Sequence, residues 1–303
     1  MYSNLSQMGL LVAMMLIGFV AAKLGVTGPA FNKSASPVVM IIFLSFTVFN
    51  AIMKSSIDFS ILKVAELSFY QFLVYAMSFV LGYIVSKLLG LKDDEFRVTL
   101  FISLLSNTVF VAFPLVSAIY GNTGLFYASI TNIPYNILAF TIGIAIISGD
   151  KKNMSIKSML SPPLVVTVLS LLILLLKIPI PEFIMQLSGT MASATVPLSM
   201  VVIGTSLAAV PVKKAISDWR VYVISFVRLL LIPTLTFFIM KALCRDPVIV
   251  GTVVILSSAP AAILVNIFSI NFNKNEDFAS KNVFISTVLS AVTMPLIISL
   301  WLN

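Results

Sequence analysis

Ten apolar runs, each long enough to cross a bilayer and each bracketed by charged or turn-forming residues, leave this chain few ways to fold. They lie at roughly 5–22, 36–53, 66–87, 98–120, 123–147, 160–177, 183–208, 221–241, 248–270 and 282–302. Inside lipid no water is present to satisfy peptide groups, so such runs must close their hydrogen bonds within the segment, and helices do this. Only 10% of the 303 residues are charged and 59% are hydrophobic, whereas a soluble domain carries about 25% charge. The expected fold class is an all-α polytopic membrane protein of ten transmembrane helices. The run at 183–208 also carries Ser188, Gly189, Thr190, Ser193, Thr195 and Pro197, so one of its sides is expected to face protein or water.

Several chemistries are excluded by what is missing. The chain has no histidine, which removes His-based triads, HExxH zinc sites and imidazole proton relays together. Cys244 is the single cysteine, so no disulfide can form within the chain. No phosphate loop of the GxxxxGKS/T type occurs, which argues against ATP-driven pumping by this chain. Neither a Ser–His pair nor paired intramembrane carboxylates are present, so the sequence argues against an enzyme and implies no cofactor. The net charge of +8 sits in short clusters between apolar runs, a pattern that sets membrane orientation and does not point to nucleic acid. Met1–Gln7 lacks the positive start of a secretory signal, so the first run reads as a retained helix.

Orientation follows from Lys and Arg in alternate loops. One set of loops holds 13 and the other 5, with Arg228 inside a run accounting for the last of the 19. The bias places both termini outside. The connection at 149–158 divides the chain into five runs before it and five after. Five is odd, so the halves 1–148 and 159–303 enter the membrane from opposite sides, as in an inverted-topology repeat.

Each half carries one polar interruption in its fourth run. The first is Leu105-Ser106-Asn107-Thr108 through Phe113-Pro114, and the second is Ser257-Ser258-Ala259-Pro260 through Val265-Asn266. A proline removes a backbone donor and clashes with the preceding turn, so each stretch is expected to break its helix at Pro114 and at Pro260. The order is swapped: Asn precedes Pro in one and Pro precedes Asn in the other.

These residues resemble the auxin efflux carrier family, the group of bacterial dicarboxylate-type permeases and plant PIN-FORMED carriers, of the bile acid/sodium symporter superfamily type. The resemblance rests on Ser106-Asn107-Thr108 through Phe113-Pro114-Leu115, on Ser193-Ala194-Thr195-Val196-Pro197-Leu198 through Gly204-Thr205-Ser206-Leu207, and on Arg228-Leu229-Leu230-Leu231-Ile232-Pro233. It implies that the fourth and ninth helices are broken and cross near the bilayer midplane, that a scaffold bundle makes homodimer contacts, and that a mobile bundle carries the substrate. It also points to carboxylates such as malate and malonate as substrates, and to the plasma (inner) membrane.

Chemically, a broken helix turns the positive end of one half and the free carbonyls of the other toward one place. The amides of Asn107 and Asn266 and the hydroxyl of Thr108 add neutral donors and acceptors beside Pro114 and Pro260. Asn132 and Asn136 lie four residues apart on one helical face around Pro134; they either line the cavity or satisfy backbone groups that Pro134 frees. Arg228 is the one charge clearly inside a run and must face protein or water. It reads either as a counter-charge for an anion or as a snorkelling, helix-bridging side chain. No carboxylate lies deep in a run, so the coupling ion, Na+ or H+ if there is one, is not legible. The expected function is a secondary active or facilitative transporter of small organic anions, auxin-like acids included. The alternative is a membrane sensor that binds ligand in the same cavity without moving it.

Overall fold

The structure, a computed structural model, describes residues 2–55, 60–150, 152, 160–209 and 217–302. The described residues form helices α1 (Tyr2–Lys23), α2 (Pro29–Lys54), α3 (Ile61–Leu88), α4 (Asp93–Leu104), α5 (Thr108–Ser148), α6 (Pro162–Leu175), α7 (Glu182–Ala209), α8 (Trp219–Leu243), α9 (Pro247–Ser258), α10 (Leu264–Asn271) and α11 (Glu276–Trp301). Among the described residues the one extended pairing is an isolated antiparallel bridge between Ser106 and Ala261. Six of the helices, α2, α3, α5, α7, α8 and α11, are long and apolar enough to cross a membrane. The protein is therefore an all-helical polytopic membrane protein. Most of the connection at 149–158 lies outside the described residues, as do Lys213 and Lys214 of the charge count.

Local chemistry explains where the helices begin and stop. Asp246 caps α9 by accepting from the backbone N–H of Val248 and Ile249, with Pro247 as the first helical residue. Asp218 caps α8 and Asn275 caps α11 in the same way. Within α5 the expected gap between the fourth and fifth runs appears as a kink at Gly121, whose φ of 58° and ψ of −145° is open to glycine and strained for other residues.

Two compact units emerge, each drawing on both halves of the sequence. The first contains 1–67, 109–133 and 160–209, and the second contains 68–108, 134–159 and 210–303.

In the first unit α1 lies along α7, and α2 packs against both α7 and α6. Two glycines allow the close approach of α1 and α7. A Cβ on Gly204 would run into the backbone of Met15 and Phe19, and one on Gly18 into the backbone of Val201. Such small-residue contacts let membrane helices gain packing and polar contacts where no hydrophobic effect drives them together. Polar side chains then join helix to helix. Thr47 Oγ1 meets Thr195 Oγ1 at 2.6 Å, Thr27 Oγ1 meets Thr205 Oγ1 at 3.0 Å, and Asn32 Nδ2 donates to Ser206 Oγ at 2.8 Å. Ser188 Oγ donates to Asn50 Oδ1 at 3.3 Å. Ser188 and Thr195 of the run at 183–208 are thus directed at protein, whereas Thr190, Ser193 and Pro197 are exposed, the two hydroxyls turning back onto their own helix.

In the second unit α8 packs on α9 and α11, and α4 and α10 pack on α11 and on the end of α5. Val85 of α3 joins Val227 and Ile232 of α8 in an apolar cluster. At one end of this unit Arg220 pairs with Glu95 and Asp218, both at 2.7 Å, while Lys274 pairs with Asp94 at 3.3 Å. These pairs fasten the starts of α4 and α8 and the turn before α11.

Candidate functional site

The two polar interruptions come together in the second unit, and they are joined backbone to backbone. Leu105 leaves the helical region after α4, with φ −119° and ψ 126°. Asn107 N–H donates to the Pro260 carbonyl at 2.8 Å, and Ala262 N–H donates to the Leu105 carbonyl at 3.3 Å. This pair forms the bridge that links Ser106 to Ala261. Peptide groups that leave a helix within lipid must find such partners or forfeit the cost of desolvation. Side chains complete the junction. Ser106 Oγ donates to the Leu256 carbonyl at 2.9 Å, and Ser286 Oγ of α11 accepts from Ala261 N–H at 3.1 Å. Ser257 and Ser258 turn their hydroxyls back onto Val254 and Ile255. Three successive carbonyls at the end of α9, those of Val254, Ile255 and Leu256, are thereby occupied.

The sequence expectation needs one correction here. The first helix does not break at Pro114. It breaks at Leu105–Asn107, and Pro114 lies inside the resumed helix α5. The turn before it, Thr108–Ala112, is a π-helix. That wider turn moves the carbonyl that would clash with the proline ring away from it, so the helix absorbs Pro114. Pro233 follows the π-helical turn Val227–Leu231 in the same manner. Pro260, by contrast, lies in its break as expected. The swapped order of Asn and Pro now has a geometric meaning: Asn107 supplies the first interruption, Pro260 the second, and the two bond to each other.

The remaining candidates divide between the units. Asn107 and Thr108 are buried at the junction, and the Thr108 hydroxyl has no partner. Asn266 stands in the first turn of α10, partly buried, with its side-chain carbonyl oxygen unpaired. Asn136 and Arg228 are buried in the second unit, whereas Asn132, also buried, and Pro114 belong to the first. Arg228 is 2% exposed, so it does not snorkel to the membrane surface.

Sequence reasoning overlooked four residues. Ser286 holds the second interruption, and nothing distinguishes it in sequence from the other hydroxyls of α11. Gln71, Tyr75 and Tyr135 are buried in the second unit, and Tyr75 and Tyr135 act electrostatically on Arg228. Gln71 and Tyr75 are spaced i, i+4 on α3, and that spacing could have marked them.

Around the junction, α5 and α10 begin and α4 and α9 end. Within the second unit the positive end of α10 and the unpartnered Thr108 hydroxyl suit an anionic group, whereas the unpaired Asn266 side-chain oxygen is an acceptor.

A family model described as membrane transport protein matches residues 5–157 and 151–298. The chain belongs to this family. Relatives are similar along nearly their full length: an uncharacterized transporter of Methanocaldococcus jannaschii is 24% identical over 300 residues, covering 96% of each chain, and an uncharacterized transporter of Methanothermobacter thermautotrophicus is 22% identical over 289 residues, covering 94% of each. Family membership bears out the resemblance to auxin efflux carriers, and transport across a membrane is the general function it assigns.

Proposed function

We propose that this member of the membrane transport protein family is a secondary active or facilitative transporter of small organic anions, carboxylates such as malate or malonate or auxin-like acids. It works by alternating access around the junction of the two interruptions. The proposal includes ten membrane crossings in two inverted five-helix repeats, 1–148 and 159–303, with the broken fourth and ninth helices crossing at that junction. It also includes a homodimer in the plasma (inner) membrane with both termini outside, as the loop charges suggest.

The observation that carries the reading is the pairing of Asn107 N–H with the Pro260 carbonyl. It holds the backbone open at two points 153 residues apart in sequence while leaving the Thr108 hydroxyl free to donate to a carboxylate and the Asn266 amide oxygen, an acceptor, open to a protonated acid or a coupling cation. Helix ends and neutral amides can hold a carboxylate without a resident charge, and release it as readily. Asn136 adds a third amide on the same unit. Na+ or H+ would be the coupling ion if transport is active.

Proteoliposomes loaded with the purified protein should take up radiolabelled malate, malonate or an arylacetic acid in a saturable way. Asn107→Ala and Asn266→Ala, in protein shown to be folded by its thermal transition, should each reduce uptake by about 10-fold, the loss of one hydrogen bond to a charged group. Unchanged uptake in both variants overturns the site assignment. Saturable binding with no flux overturns transport in favour of a sensor.

A further inference from the structure

Arg228 heads the large, fully buried side chains among the described residues, and no described carboxylate is paired with it. Its Nε–H has no partner, and the salt bridges of the described residues join other cations, Lys63, Arg220, Lys274 and Lys281, to their carboxylates. A guanidinium does not shed its proton in a protein. Burying one with no counter-charge costs several kcal/mol. Among the described residues no carboxylate is paired with Arg228, so an anion from outside the chain would fit as its counter-charge.

The neighbours are donors. Tyr75 is 4% exposed and Tyr135 7%, and these two phenols are the ionisable groups that act on Arg228. Gln71, at i, i+4 spacing before Tyr75 on α3, is buried with its side-chain carbonyl oxygen unpaired. A phenol carries no charge at neutral pH, so neither tyrosine is the counter-ion. Arg228 itself stands in the π-helical turn Val227–Leu231, a distortion that recurs at functional sites.

We propose that Arg228, Tyr75 and Tyr135 form a buried site for a singly charged anion, a halide or a carboxylate group, bound by the guanidinium and the two phenol hydroxyls. It is a station separate in its chemistry from the junction, where no side chain carries a charge. It does not depend on the transport reading, although a carboxylate bound here would extend it.

The test is thermal unfolding of the purified protein in detergent, at constant ionic strength set with sulfate, while chloride or acetate replaces the sulfate. The expected result is a saturable rise in Tm, about 5 °C at a hundredfold excess over Kd. Arg228→Gln should flatten the response and Arg228→Lys should retain part of it. Tyr75→Phe and Tyr135→Phe should each raise the apparent Kd about 10-fold; they keep the test decisive if Arg228→Gln does not fold. A response to chloride alone identifies an inorganic anion, and a response to acetate identifies a carboxylate. No saturable response in the wild type, an equal response in Arg228→Gln, or unshifted affinity in both tyrosine variants overturns the site. Because no flux is measured, a protein that transports carboxylates yet ignores these anions loses this site and keeps its proposed function.

Discussion

In the first unit Thr47 meets Thr195, Thr27 meets Thr205 and Asn32 meets Ser206, each from one helix to another. In the second, the hydroxyls of Thr99, Ser103, Ser225, Thr252 and Ser269 are buried with no partner. Ser45 and Ser170 of the first unit are also unpaired, but its inter-helix pairs have no counterpart among these hydroxyls. The contrast extends to the backbone. In the first unit Gly18 and Gly204 bring backbone against backbone, whereas in the second Gly82 and Gly143 lie against side chains of α4 and two helices open with their loose ends joined. Paired polar groups and glycine contacts hold helices in one arrangement. Unpaired ones are the expected state of a bundle whose partners arrive with a ligand or with movement.

The sharpest way to break the contrast is Gly204→Val. The atoms in the way are backbone of Met15 and Phe19, which cannot rotate aside, so α1 and α7 must separate. A loss of about 3 kcal/mol or more is expected, read as a drop in the thermal transition or failure to fold. Near-neutral behaviour would show that α1 and α7 are not tightly packed.

Paired and unpaired hydroxyls should then answer differently to the same substitution. Thr47 donates to the Phe43 carbonyl at 2.9 Å, so the proton in its contact with Thr195 comes from Thr195. Thr47→Val should cost about 1–2 kcal/mol by stranding that hydroxyl. Thr252→Val removes a buried group that has no partner, and should be neutral or stabilising by up to about 1 kcal/mol. Equal losses at both positions in denaturant or thermal unfolding would erase the distinction between the units.

At the junction, Ser106→Ala should cost about 1 kcal/mol by freeing the Leu256 carbonyl. Transport should fall less than in Asn107→Ala, since Ser106 binds the backbone and is not proposed to touch substrate.

The smallest effect concerns acid stability at the charged end of the second unit. The hydrogen bonds from Arg220, foremost those from its side chain, hold the Asp218 carboxyl below the usual carboxylate range. A carboxyl with a depressed folded pKa adds stability above its unfolded pKa, near 4, and loses it as pH falls through the folded value. Wild type should therefore exceed Arg220→Gln in Tm at pH 7, and the gap should narrow below about pH 4. Salt should shrink it throughout, because the pairs are partly exposed.

Much of this architecture was legible in one dimension. The apolar runs, the polar stretches at 105–114 and 257–266 and the oddity of Arg228 are local properties of composition and spacing. Pro114 shows the limit of such reasoning. A proline is a local reason to break a helix, yet a π-helical turn removed the clash, and the break formed seven residues earlier where no proline stands.

What sequence alone determined, then, is that the chain lives in lipid, that it is helical, and which stretches resist being regular helix. Lipid enforces these outcomes residue by residue, since every peptide group must be satisfied close to where it lies. Tertiary structure decided where the helices open and what holds them open. Leu105, Asn107, Pro260 and Ala262 exchange hydrogen bonds across some 150 residues of chain, and Ser286 joins from a third segment. It likewise placed Tyr75 and Tyr135 where they act electrostatically on Arg228. Partners so far apart leave no periodicity or spacing to read; only the folded unit brings them together.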